Sequence, residues 1–76
     1  MNILLVDDNQ YVLEGLLDGI DFSGLGFSQV YTAKSAGKAR ELMDSNSIQI
    51  VITDIEMPNG SGLELLEWIN AVHPGT

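Results

Sequence analysis

Apolar residues follow two rhythms along the chain: short near-continuous runs, and runs spaced at three and four residues. Ile3-Leu4-Leu5-Val6 and Ile48-Gln49-Ile50-Val51-Ile52-Thr53 are of the first kind. They are rich in Ile and Val with little polar alternation, as a parallel sheet covered on both faces requires. Val12, Leu13, Leu16, Leu17 and Ile20 are of the second kind and predict a helix from about Gln10 to Ile20, with Glu14 and Asp18 on its other face. Two glycines then break the period in Asp21-Phe22-Ser23-Gly24-Leu25-Gly26-Phe27, which predicts a loop whose Phe22, Leu25 and Phe27 tuck against the core.

Gln29-Val30-Tyr31-Thr32-Ala33 reads as a second strand. Ala36, Ala39, Leu42 and Met43 give helical spacing from about Ser35 to Asp44, with Ser35 as N-cap. Ser45-Asn46-Ser47 is a turn before the third strand, and Met57-Pro58-Asn59-Gly60 a loop after it. Ser61 and Glu64 stand at capping-box spacing, and Leu65, Leu66, Trp68, Ile69 and Val72 supply the apolar side of a last helix that His73-Pro74 ends. Strand and helix thus alternate three times, the pattern of an α/β fold with a parallel sheet. Right-handed crossovers and a flavodoxin-like order place the first strand between the second and third, and put a ligand site at the carboxyl ends of the first and third.

Three acids follow those two strand ends: Asp7 and Asp8 after Val6, and Asp54 after Thr53. Side by side they repel, an arrangement tolerated mainly when a hard divalent cation such as Mg²⁺ sits between them. The plain alternative is that an Asp at a strand end only caps the next turn or helix, and for Asp7 alone that would suffice. Two adjacent acids after one buried strand and a third after another favour a shared site.

Composition narrows the function classes. Seventy-six residues with 45% hydrophobic content allow one small domain, near the size where a single core is only marginally stable. Eleven acidic against three basic side chains give a net charge of −8, which argues against direct nucleic-acid binding, since phosphate contacts need clustered Lys and Arg. Without cysteine there is no disulfide, thiolate metal site or cysteine nucleophile. The four apolar residues before Asp7 are too few for a secretion signal or a membrane span, so a cytoplasmic protein is expected. Gly24 and Gly26 are turn residues, because a dinucleotide-binding fingerprint needs its glycines directly between strand and helix. His73, beside Pro74 near an exposed end, is expected to be solvated, and Trp68 to lie in a core or interface.

Through Leu4-Leu5-Val6-Asp7-Asp8, Val51-Ile52-Thr53-Asp54, Met57-Pro58 and Gly62, the chain resembles the receiver domain of bacterial two-component response regulators. The resemblance runs from Met1 to Thr76 and implies a CheY-like fold. It implies that Asp54 is the phosphoacceptor, attacking a phosphohistidine of a sensor histidine kinase or phosphotransfer protein. It further implies that Asp7, Asp8, Asp54 and the backbone carbonyl of Glu56 hold Mg²⁺. Pro58 and Gly62 would shape the loop beside the acceptor and the start of the last helix, and Met57 would pack. Leu25-Gly26-Phe27, with the stretches from Ile52 to Pro58 and from Ser61 to Ile69, also resembles receivers that precede AraC-type DNA-binding regions, so the output would be transcription.

A complete receiver continues through two more strands and helices, so residues 1–76 are expected to be a truncated receiver domain, its first three strand-helix units. The Ser or Thr after the fourth strand, the Lys after the fifth and the aromatic residue of the fifth strand would then be missing, and phosphate acceptance at Asp54 would suffer. The third strand would become a sheet edge, and its uncharged apolar run is expected to promote self-association. The alternative function is a receiver-like interaction module that is not phosphorylated. A small phosphatase or phosphotransferase lacks a convincing general acid and substrate pocket.

Overall fold

The computed structural model describes residues 1–53 and 61–75. Its elements run β1 (Asn2–Val6), α1 (Gln10–Gly19), β2 (Gln29–Ala33), α2 (Ala36–Ser45), β3 (Ile50–Thr53) and α3 (Ser61–Val72). The strands form one parallel sheet in the order β2-β1-β3. Ile3 is in register with Val30 and Ile50, and Val6 with Ala33 and Thr53.

Being central and flanked by helices on both faces, β1 has no solvent side. Leu4 and Leu5 are completely buried, and Ile3 and Val6 nearly so. Alternation along the strand divides these residues between two cores. Leu4 and Val6 join Ala33, Ala39, Met43, Ile48, Leu65 and Ile69 on the α2 and α3 side. Ile3 and Leu5 join Leu13 and Phe22 on the α1 side. Ala39 is fully buried; its small side chain lets α2 pack close to the sheet. Trp68 packs against the first core, as the sequence suggests.

Local signals set the element ends. Ser35 is the N-cap of α2, its side chain accepting from Lys38 N–H at 3.2 Å. The turn after α1 is closed by Phe27 N–H donating to the Phe22 carbonyl at 3.0 Å. Gly26 there adopts φ 94°, a conformation that favours glycine. Gly24 N–H donates to the Asp21 carboxylate, which occupies the space a Cβ would need. The capping-box reading at Ser61 depends on a side chain outside the described residues, as does the loop at residues 57–60. Gly62 is buried at the second position of α3.

Three expectations are corrected. Leu25 does not tuck inward and is 68% exposed, because the Phe22–Phe27 edge-to-face pair, with centroids 6.1 Å apart, already fills the corner. Val12 and Leu17 are also exposed, leaving Leu13, Leu16 and Ile20 as the inward stripe of α1. The third strand begins at Ile50, not Ile48. Ile48 is buried in the core, while the Gln49 side chain turns back to accept from Asn2 N–H at 2.6 Å, and Gln49 N–H donates to the Asn2 carbonyl at 3.1 Å.

Leu65, with no exposed surface, and Leu25 sit at opposite extremes of burial. Leu65→Ala is expected to cost about 3 kcal/mol of unfolding free energy, enough to unfold much of a domain this small, whereas Leu25→Ala should stay within about 0.5 kcal/mol. Urea denaturation of both variants checks this.

Candidate functional site at the carboxyl ends of β1 and β3

Where β1 stops, its ladder does not. Asp7 N–H donates to the Ala33 carbonyl at 3.1 Å, holding the residue after the strand against the end of β2. Asp7 is half-buried; Asp8 is exposed. The Asp7 Oδ1 accepts from Asn9 N–H at 2.9 Å, so one carboxylate oxygen braces the turn into α1. The capping explanation for a strand-end acid therefore holds in part for Asp7. It does not extend to Asp8, because the N-cap of α1 is Asn9, whose side chain accepts from Tyr11 N–H at 2.9 Å. Both acids stand beside the amino end of α1, where unpaired N–H groups favour negative charge.

The third predicted acid, Asp54, and Glu56 lie outside the described residues. What the structure gives is the approach to them. Thr53, which precedes Asp54, is in register with Val6, which precedes Asp7. Strands paired this way lie about 4.8 Å apart, so Val6 and Thr53 end β1 and β3 at adjacent positions on one sheet edge. Among the described residues no group of three or more His, Cys, Asp and Glu could hold a metal ion. Asp7 and Asp8 form a pair, a start on an all-oxygen donor set that suits a hard cation and offers nothing to a soft one.

Two residues at this edge escaped the sequence reading. Asn9 is one, and its signal was available, since an Asn directly before a helical period is a preferred N-cap. Lys34 is the other. It follows β2, and its Nζ donates to Gln10 Oε1 at 2.7 Å, while Gln10 Nε2 donates to Glu14 at 3.0 Å. This places a cation on the side chain of the first residue of α1. Nothing in the local sequence pairs positions 10 and 34; the β1–β2 register does so.

The corresponding expectation for His73 is corrected. Its side chain is 28% exposed and lies tilted against Trp68 with centroids 5.2 Å apart. It lies at the far end of α3, away from the acids.

The model of the family "Response regulator receiver domain" matches residues 3–76. The chain is 39% identical over 72 residues to the uncharacterized transcriptional regulatory protein YesN of Bacillus subtilis, covering 95% of this chain and 20% of that protein. It is 36% identical over 67 residues to the transcriptional regulatory protein HptR of Staphylococcus aureus, covering 88% of this chain and 27% of that one. It therefore spans about a quarter or less of the length of these relatives. Among solved structures, a two-component transcriptional regulator AraC from Clostridium phytofermentans superposes with a TM-score of 0.92 at 29% identity, over 99% of this chain and 60% of that one. A mutant of the response regulator MaeR bound to sulfate superposes at 0.81 with 28% identity, over 95% and 58%. The sheet order and helix placement are those of the CheY-like receiver fold. No described helix is long and apolar enough to cross a membrane.

Asn9→Ala leaves the Tyr11 N–H without its cap and is expected to destabilise the chain by about 1 kcal/mol, whereas Asn9→Ser should keep most of that. Chemical denaturation read by far-ultraviolet circular dichroism distinguishes the two.

Proposed function

Since the chain belongs to the family of response regulator receiver domains, we propose that it takes a phosphoryl group from a sensor histidine kinase, or from a phosphotransfer protein, onto Asp54. The observation that carries this reading is the β1–β3 register, with Val6 opposite Thr53 and an acid directly after each. An ionised Asp54 carboxylate oxygen attacks phosphorus, the phosphorus–nitrogen bond to the donor imidazole breaks, and an acyl phosphate forms. The leaving imidazole keeps the electron pair of that bond and takes up a proton.

Asp7 and Asp8, with Asp54 and the backbone carbonyl of Glu56, are the residues that would hold Mg²⁺. Bound there, the ion supplies neutralisation of the charge that acceptor and phosphoryl oxygens bring together. The chain's own residues do the rest. Asp7, fixed by the backbone of Ala33 and Asn9, is the rigid ligand. Asp8, exposed and not used as a cap, is the adaptable one. Asp7 and Asp8 lie at the mouth of a dry strand, outside the core and open to a cation. The domain acts as a signalling module in the cytoplasm, not as an enzyme with turnover, and its parent controls transcription, in keeping with the regulators it resembles.

The test is the intact mass after incubation with Mg²⁺ and acetyl phosphate, with Asp54→Asn and chelator controls. A gain of one phosphoryl group, lost in both controls, is expected. No adduct in the unmodified chain would overturn phosphate acceptance by this segment and leave a binding module. Separately, Mg²⁺ should raise stability by about 2.7 kcal/mol at a hundredfold excess over its Kd. Asp8→Asn should abolish most of that gain in thermal melts.

A further inference from the structure

The only histidine and the only tryptophan of the chain meet at the joint between α2 and α3. His73 follows the last residue of α3, and its backbone N–H donates to the Ile69 carbonyl at 2.7 Å. The imidazole therefore stands at the carboxyl end of the helix, where unpaired carbonyls favour positive charge. Its Nε2 lies 3.4 Å from Oδ1 of Asp44 on α2. Its ring is tilted at 60° against the Trp68 indole. One turn before Asp44, the Arg40 guanidinium sits 5.7 Å from the same indole centroid, and Arg40 Nε is buried with no hydrogen-bond partner among the described residues. An indole, an imidazole, a carboxylate and a guanidinium thus tie the end of α3 to α2, remote from the acids at the sheet edge.

We propose that this cluster is a pH-responsive clamp between α2 and α3. Protonated, His73 is an ion-pair partner for Asp44 and a cation against Trp68. Neutral, it retains at most a hydrogen bond, and the end of α3 is held by apolar packing and by Arg40 on the indole. The charged groups at the joint are Arg40 and Asp44 from α2. Farther along α2, Lys38 and Glu41 pair with each other at 3.9 Å, and Glu64 and Glu67 of α3 itself are exposed. The Asp44 contact with the imidazole is direct, whereas Arg40 meets it only through the shared indole, so the charged ring gains an ion-pair contact that the neutral ring lacks. The clamp engages with the charged ring. It acts on a helix whose first residue, Ser61, comes seven positions after Asp54.

The test follows Trp68 emission and urea unfolding of the whole chain between about pH 5.5 and 8, the span in which histidine changes charge, for the unmodified protein, His73→Gln and Asp44→Asn. A protonated imidazole against an indole quenches its fluorescence. Emission should therefore rise with pH in the unmodified chain and stay flat in His73→Gln. The unmodified chain should also gain a factor of about two to five in its folding constant at the acid end, the range of exposed ion pairs, relative to both variants. Flat emission in the unmodified chain, or a pH dependence of stability identical in all three proteins, overturns the clamp. The outcome is independent of whether Asp54 accepts phosphate.

Discussion

The structure depends on keeping β1 dry. A parallel strand with helices on both faces must be apolar at every position, and Ile3 to Val6 meet that requirement with side chains that alternate between two cores. Each helix is placed by what it covers: α1 shields Ile3 and Leu5, while α2 and α3 shield Leu4 and Val6. The flanking strands take their register from the same residues. Charge can then appear only where the strand ends. Asp7 and Asp8 are the first positions on this line that water or a cation can reach, so the location of the acidic site follows from the burial of the strand before it.

Much of this was legible in the sequence because the signals were local and periodic. The span of β2, the Ser35 cap, the inward face of α2 and the end of α3 before Pro74 each rest on a few adjacent residues. The readings that failed needed information from elsewhere in the chain. Leu25 is as apolar as Phe22, and only the Phe22–Phe27 contact decides which of them is inside. Five apolar positions on α1 gave too wide a stripe, because a helix covering two strands of a three-stranded sheet cannot bury all of them. Gln49 looked like a strand residue, but its side chain satisfies the amino end of β1 instead.

The acidic site was legible in the same partial way. Asp7 and Asp8 were found as a pair, and the structure separates them: Asp7 contributes an oxygen to the turn, while Asn9, not either acid, caps α1. That division matters chemically. An acid that caps a helix has its charge stabilised by backbone N–H groups and makes a poorer ligand, whereas an uncapped exposed carboxylate next to a braced one can move onto a cation without unfolding anything. Lys34 and the His73 cluster were invisible for a common reason. Each depends on two segments that meet through the sheet or through helix packing, with no spacing in the sequence to mark the pairing.

The exposed residues of β3 carry the last step. Ile50 and Ile52 are in register with Ile3 and Leu5, so they lie on the α1 face of the sheet, and they are 38% and 47% exposed. Val51, on the opposite face, packs against the core that α3 completes. The two faces of β3 are therefore unequally protected: one is anchored by α3, while α1 leaves the other uncovered. The carboxyl end of β3 therefore combines a ladder with β1, Thr53 beside Val6, with an apolar face at Ile50 and Ile52 that α1 leaves open.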